Sequence, residues 1–132
     1  MGKMFPTDSQ KLKLLDRAED GSVVMLNLMK FKETSDDGNG SGWDAYVRYS
    51  NETSPLIKAV GGKIIWTGKI EQYSLGAMFC NWDMAALVEY PNRQAFVSMM
   101  ESPEYEKASI HRINGLEDHI IMAADEMFRR KT

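Results

Sequence analysis

One cysteine, Cys80, and two histidines, His111 and His119, are all that a chain of 132 residues offers of those two types. A lone thiol cannot close an intramolecular disulfide, which excludes a disulfide scaffold and a cysteine-only zinc site. The two histidines have Glu117 and Asp118 near them, but no tight metal-ligand spacing, so neither a metal nor another cofactor is expected. No apolar run approaches the roughly 20 residues that cross a bilayer. Residues Met1 to Gln10 lack the apolar stretch of a signal peptide, and the expectation is a cytoplasmic chain with no membrane partner. An excess of basic residues is missing as well. Sixteen Lys and Arg stand against 19 Asp and Glu, for a net charge of −3, the wrong sign for a nucleic-acid footprint. The basic cluster Arg129-Arg130-Lys131 reads as a solvated tail. There is no G-x-S-x-G elbow, and Cys80 has no histidine near it in sequence. Gly38-Asn39-Gly40-Ser41-Gly42 lacks the Lys-Thr that a phosphate-cradling loop requires.

What is present is apolar and aromatic. Hydrophobic residues make up 43% of the chain, with 10 Met, 3 Trp, 5 Tyr and 5 Phe, and 27% of residues are charged. That is enough apolar side chain to offset ordering entropy, so the chain folds. Chains usually split into domains only beyond about 250 residues, so residues 1–132 read as one domain.

Phe5-Pro6-Thr7-Asp8-Ser9-Gln10 reads as a helix start, with Thr7 and Gln10 spaced as a capping box. Leu12, Leu15 and Ala18 follow on one face, and Gly21 marks the stop. Val23 to Phe31 is nearly continuously apolar, as in a strand buried on both faces. Period two puts Val23, Met25, Asn27, Met29 and Phe31 on one side, and Val24, Leu26, Leu28 and Lys30 on the other. Residues 34–42 are polar and glycine-rich, the composition of a mobile loop. A helical stripe runs through Trp43, Tyr46 and Val47 to Leu56, Ile57 and Val60, and Pro55 interrupts it, so that a kink or a break is expected after Ser54. Residues 63–70 form a second strand with Ile64, Trp66, Gly68 and Ile70 on one face. Gly68 marks a bulge or a close backbone approach. Residues 71–82 connect to a third strand at 83–90. Helical segments follow from Asn92 and again from Ser102-Pro103-Glu104, and a fourth strand occupies 119–124. The element order, less the first helix, is βαββαβ, an α+β ferredoxin-like plait with a four-stranded antiparallel sheet. A first strand apolar on both faces asks for cover on the side without helices. A second copy of the chain supplies it, giving a homodimer built as an α/β barrel.

Four segments together resemble a known family. They are Val24 to Lys32, Gly61 to Gly68, Trp82 to Pro91, and Ser102-Pro103-Glu104-Tyr105 followed by His111-Arg112 and Gly115-Leu116-Glu117-Asp118. Over about residues 22 to 124 the chain is similar to the domain-of-unknown-function 1330 family of the dimeric α/β-barrel superfamily. The resemblance implies a ferredoxin-like subunit and a homodimer, and no established activity. The wider superfamily includes cofactor-independent monooxygenases, small-molecule isomerases, heme-handling enzymes and stress-response proteins, so no single chemistry carries over.

Several residues are candidates for chemistry. Asn27 sits inside an apolar strand, where an unpaired amide costs about 1–3 kcal/mol, so it holds either a ligand carbonyl or neighbouring backbone. Lys30, near the strand end, either neutralises an anionic substrate or reaches water or a carboxylate. His111-Arg112 is the acid/base and anion-binding pair, although adjacent helical residues point in different directions. Its alternative role is to stabilise a helix C-terminus. Tyr46, Trp66 and Tyr90, with Tyr49 and Trp82, either line an aromatic cleft between sheet and helices or fill the core. Glu89 is a buried-acid candidate or a salt-bridge partner.

Two readings follow. In the first, a homodimer holds a small apolar or aromatic ligand in a pocket between sheet and helices. It binds that ligand, or performs cofactor-independent proton transfer or oxygen chemistry with His111 as base and Asn27 or Arg112 stabilising an oxyanion. In the second, the dimer is a non-catalytic binding or stress-associated module whose pocket is only core.

Overall fold

The computed structural model describes residues 5–17, 19–77 and 81–131. Ala18 and Cys80, both considered above, lie outside them. Eight elements follow one another: α1 (Asp8–Leu15), β1 (Val23–Phe31), α2 (Gly42–Ala59), β2 (Lys63–Lys69), β3 (Met84–Tyr90), α3 (Arg93–Met100), α4 (Pro103–Gly115) and β4 (Leu116–Ala124). The sheet order is β2-β3-β1-β4 with every pair antiparallel. This is the α+β plait that the element order implies.

The helix starts have local causes. Thr7 and Gln10 form the expected capping box, with the Thr7 hydroxyl accepting from the Gln10 N–H at 3.1 Å. Ser41 and Asp44 form another at α2, and Ser102 caps α4 with Pro103 in its first turn. Each satisfies backbone donors that a helix start leaves open. The loop before β1 also caps: the Asp20 carboxylate accepts from the backbone N–H groups of Arg93 and Gln94 at the start of α3, at 2.7 and 3.2 Å.

One face of the sheet carries all the helices. Val23, Met25, Val88 and Tyr90 pack there against Phe96, Val97, Met99 and Tyr105, and Met29 and Ala86 pack against Leu116. Helices α2 and α4 come together through glycine. A Cβ on Gly42 would overlap the carbonyl oxygens of Lys32 and Gly115, and one on Gly115 would overlap the Gly42 carbonyl. Helix α4 then runs into β4 with no intervening residue, which fixes where the last turn of α4 meets the first residues of β4.

The structure corrects the sequence reading in several places. Helix α2 runs unbroken through Pro55. A helical proline forfeits one backbone bond, here to the Asn51 carbonyl. The Thr53 and Ser54 hydroxyls meanwhile bond the carbonyls of Tyr49 and Ser50 at 2.9 and 2.7 Å, and the apolar stripe is packed on both sides of the proline. Helix α1 ends at Leu15, well before Gly21. Strand β4 begins at Leu116, three residues ahead of expectation. The glycine-rich segment is tied down rather than loose. Ser35 N–H bonds the Gly40 carbonyl, Asp36 N–H bonds the Asn114 carbonyl, and Gly38 and Gly40 take positive φ.

The most consequential correction is a bulge in β2. Ile64 pairs with Val88 but Trp66 pairs with Leu87, so Ile65 is an extra residue. An extra residue reverses the alternation of faces. Ile64 therefore stays on the helix-covered face while Trp66 and Gly68 turn to the other, against the expectation that all three share one face. Gly68 is the close approach and not the bulge, since the Trp66 indole lies where its Cβ would be.

Candidate functional site

Asn27 on β1 and His119 on β4 both point to the helix-covered face. Met29 pairs with His119 and Asn27 with Ile121, so Asn27 and His119 are diagonal neighbours on adjacent strands, within reach of such side chains. The His119 Nε2 to Asn27 Oδ1 distance is 2.9 Å, and the Asn27 amide donates to the Met25 carbonyl at 3.1 Å. On the other side of the ring, Arg112 Nη1 lies 3.3 Å from His119 Nδ1. Arg112 comes from the last turn of α4, directly above the start of β4.

These contacts fix the protonation state. Guanidinium only donates, so Nδ1 is the acceptor and Nε2 carries the hydrogen that Asn27 receives. Burial pulls the His119 pKa down to about 3, and the Arg112 charge adds to the shift. At neutral pH His119 is a neutral relay between a buried cation and a half-buried amide. Its one basic lone pair is already engaged. Arg112 is 2% exposed, with its guanidinium 5.3 Å from the Phe5 ring centroid, an arrangement that favours a cation.

Two cavities meet at His119. The smaller, about 270 Å³, lies between the sheet and α2, α3 and α4, with Asn27, Tyr46, Tyr49, Tyr90 and Tyr105 in its wall. An aromatic ladder borders it. Ring centroids of Tyr46 lie 6.1 Å from Trp43 and 5.7 Å from Tyr49, and Tyr49 lies 6.0 Å from Tyr105. The hydroxyls of Tyr49 and Tyr105 are hydrogen-bonded at 2.8 Å. Burial raises the Tyr46 pKa to about 12 and holds those of Tyr49 and Tyr90 well above the ordinary phenol value. No Asp, Glu, Lys or Arg lines this cavity among the described residues. The larger cavity, about 760 Å³, lies under α1. Met25, Phe96, Met100, His119 and Ile121 line both, so they form the partition between them.

The sequence candidates are thereby divided. Asn27, Tyr46 and Tyr90 line the smaller cavity, and Arg112 lines the larger. His111 turns the other way, with Nε2 2.7 Å from Glu52 on α2, so it and Arg112 do not face one space. Lys30 is on the helix-free face with Asp83 at 3.6 Å, and Trp66 is there because of the Ile65 bulge. Glu89 pairs with Lys63 at 3.7 Å and with Arg129 at 2.8 Å, which draws the basic tail onto the sheet. Trp82 is buried and lines neither cavity. No group of three or more His, Cys, Asp or Glu suited to a metal ion occurs among the described residues, nor a helix long and apolar enough to cross a membrane.

Spacing in the sequence brings His119 forward only as a metal ligand. The signal that finds it is combinatorial. The βαββαβ order places the last strand beside the first, and His119 alternates in phase with Ile121 and Ala123. A polar residue on that inner face belongs beside Asn27, the polar residue on the inner face of β1.

The domain of unknown function DUF1330 matches residues 42–125. No curated protein matches the chain. The crystal structure of a protein of unknown function from Rhodopseudomonas palustris is 30% identical, covering 98% of this chain and 100% of that one with a TM-score of 0.84. Its methylated form superimposes with a TM-score of 0.85 at 29% identity, covering 97% of each chain. A dabb family protein from Mesorhizobium loti, described as having a ferredoxin-like fold, is 11% identical, with 82% of this chain and 99% of that one covered and a TM-score of 0.52. At that identity the likeness speaks for the fold alone.

Proposed function

We propose that this chain, which belongs to the DUF1330 family, is a homodimeric binding protein for a small aromatic or apolar molecule carrying one hydrogen-bonding group. The observation that carries this reading is the cavity of about 270 Å³ whose wall combines four tyrosines with the Asn27–His119 pair. Apolar protein cavities of roughly 150 Å³ hold benzene, so this one suits a single substituted ring. The ring lies against aromatic and methionine side chains, and its carbonyl or hydroxyl meets the second N–H of the Asn27 amide, the first being held by the Met25 carbonyl.

Binding is favoured over proton transfer for a specific reason. Among the described residues that line the cavity, His119 is neutral with its lone pair held by Arg112, and Tyr46 ionises only at about pH 12, so neither is a base poised near neutrality. His111, the base of the enzymatic reading, is directed to Glu52 instead.

The dimer reading rests on the helix-free face. Trp66, Met122 and Ile120 are 54%, 44% and 37% exposed there, beside half-buried Leu26, Leu28 and Leu87. A contiguous apolar patch on a sheet face pairs readily with its own copy about a two-fold axis. Sedimentation equilibrium at micromolar concentration is expected to return twice the chain mass; a species of one chain mass rejects the dimer.

Titration calorimetry with acetophenone and with ethylbenzene tests the ligand site. Acetophenone is expected to bind more tightly, by about 1 kcal/mol for the hydrogen bond, and Asn27→Leu to erase that difference. The reading fails if neither compound binds, or if the preference survives the substitution.

A further inference from the structure

Ala124, the last residue of β4, pairs with Val24, Val24 pairs with Glu89, and Glu89 pairs with Lys63, so the four make one row at an end of the sheet. Val23, Met25, Val88 and Tyr90 belong to the core under the helices, and alternation therefore turns Val24 and Glu89 to the helix-free face. The residues after Ala124 come back to this row. Asp125 pairs with Arg17 at 3.4 Å, and Arg129 reaches past β1 to Glu89 at 2.8 Å while also holding Glu126 at 2.8 Å. The segment is thus pinned at both ends along the rim of the helix-free face. Between the pins stand Met127 and Phe128, 98% and 85% exposed. They touch almost nothing of their own subunit, and they border the face that carries Trp66, Ile120 and Met122. Ion pairs as exposed as these hold a segment only weakly. An ordered segment that turns two neighbouring large apolar side chains to water is costly unless another surface covers them.

We propose that residues 125–131 form an arm that clasps a second copy of the chain, with Met127 and Phe128 of each subunit packed against the other. The inference rests on the dimer reading above and goes beyond it, because it places part of the contact outside the sheet. Its occupant follows from position. When two helix-free faces meet, the surface that stands over the rim of one sheet belongs to the other copy, and the apolar side chains of the arm continue the apolar patch of that face. The pairs Arg17–Asp125 and Arg129–Glu89 direct the arm along the rim, and the partner supplies the burial that they do not. A two-fold axis makes the contact twice, so each side chain counts twice in the assembly.

Sedimentation equilibrium of the whole chain and of Met127→Ser/Phe128→Ser, each over a series of concentrations, tests this. The double substitution is expected to raise the dimer dissociation constant at least about twentyfold, since four apolar side chains leave the contact. Its far-ultraviolet spectrum is expected to match wild type, because neither side chain belongs to the core of its own subunit. Should both proteins stay dimeric at the lowest concentration measured, the rate of subunit exchange decides, and it is expected to rise by a similar factor, because changes at an interface act mostly on dissociation. A wild-type dimer whose dissociation constant and exchange rate are unmoved by the double substitution overturns the clasp and leaves the dimer standing. A wild type that sediments as one chain at every concentration overturns the dimer reading, and the clasp with it.

Discussion

The two faces of one sheet have been made unlike by the same four strands. On the helix-covered face, β1 and β4 contribute Asn27 and His119 to an otherwise apolar layer. On the helix-free face the same strands contribute Leu26, Leu28, Ile120 and Met122, and β2 adds Trp66. The covered face holds polar groups that are hydrogen-bonded to one another across three elements. The open face holds apolar groups with solvent over several of them. The contrast teaches where specificity can reside. A buried polar chain is costly unless complete, so it fixes one arrangement of α4, β1 and β4. An apolar face fixes no such arrangement and instead asks to be covered.

The sharpest way to break the covered face is at the residue that joins its parts. His119→Leu removes the acceptor for Arg112 and the donor for Asn27 together, leaving one buried and one half-buried polar group each with one hydrogen bond fewer. Urea unfolding is expected to show a loss of about 3–5 kcal/mol. The pH dependence gives an independent reading. The folded pKa of His119, about 3, lies below the ordinary 6.5. Between these values the unfolded chain binds a proton that the folded chain does not, so this contribution to stability is complete above pH 6.5 and is lost as the pH falls toward 3. One proton sets a limiting slope of about 1.4 kcal/mol per pH unit. Wild type is expected to show that slope below pH 6.5 beyond the carboxylate contribution, and His119→Leu to lack it. Equal slopes in the two proteins would remove His119 from the account.

Much of this arrangement was legible in the residues, and the illegible part has identifiable causes. The strand and helix order, the capping residues Thr7 and Ser102, and the face carrying Asn27 follow from spacing and hydrogen-bonding type. Trp66 was misplaced because a bulge is one extra residue in a run, Lys63 to Lys69, that carries no mark of where alternation resets. His111 and Arg112 were joined because they are adjacent in sequence, although a helix turns one toward Glu52 and the other toward His119. The order in the loop of residues 32–41 comes from its bonds to Asn114 and Gly115, which lie more than seventy positions away and leave no local trace. Sequence patterns report local geometry; partners brought together by topology have to be deduced from the strand order first.

A smaller change separates the tyrosine cavity from the core that surrounds it. Tyr105 is 1% exposed, and its hydroxyl meets Tyr49 at 2.8 Å. Tyr105→Phe keeps the ring and deletes that bond, and is expected to cost about 1 kcal/mol in thermal or urea unfolding. If the cavity holds a ligand as proposed, acetophenone binding is expected to change little, because the Asn27–His119 pair is untouched. A loss of binding in Tyr105→Phe as large as in Asn27→Leu would move the polar contact from the strands to the tyrosines.

The smallest expected effect on the stability of a single chain, and the one that tests the open face, is Trp66→Lys. The indole is 54% exposed and lies over Gly68 on the helix-free side. Surface substitutions of this kind usually stay within about 0.5 kcal/mol, so the isolated subunit is expected to unfold almost as wild type does. In a dimer paired through this face, each copy would instead present a lysine to an apolar partner surface, at a cost large enough to separate the subunits. Sedimentation of Trp66→Lys is therefore expected to give single chains at concentrations where wild type is dimeric, with the far-ultraviolet spectrum unaltered. A dimer that survives the substitution would place the subunit contact elsewhere and leave the exposed apolar residues of this face without a role in assembly.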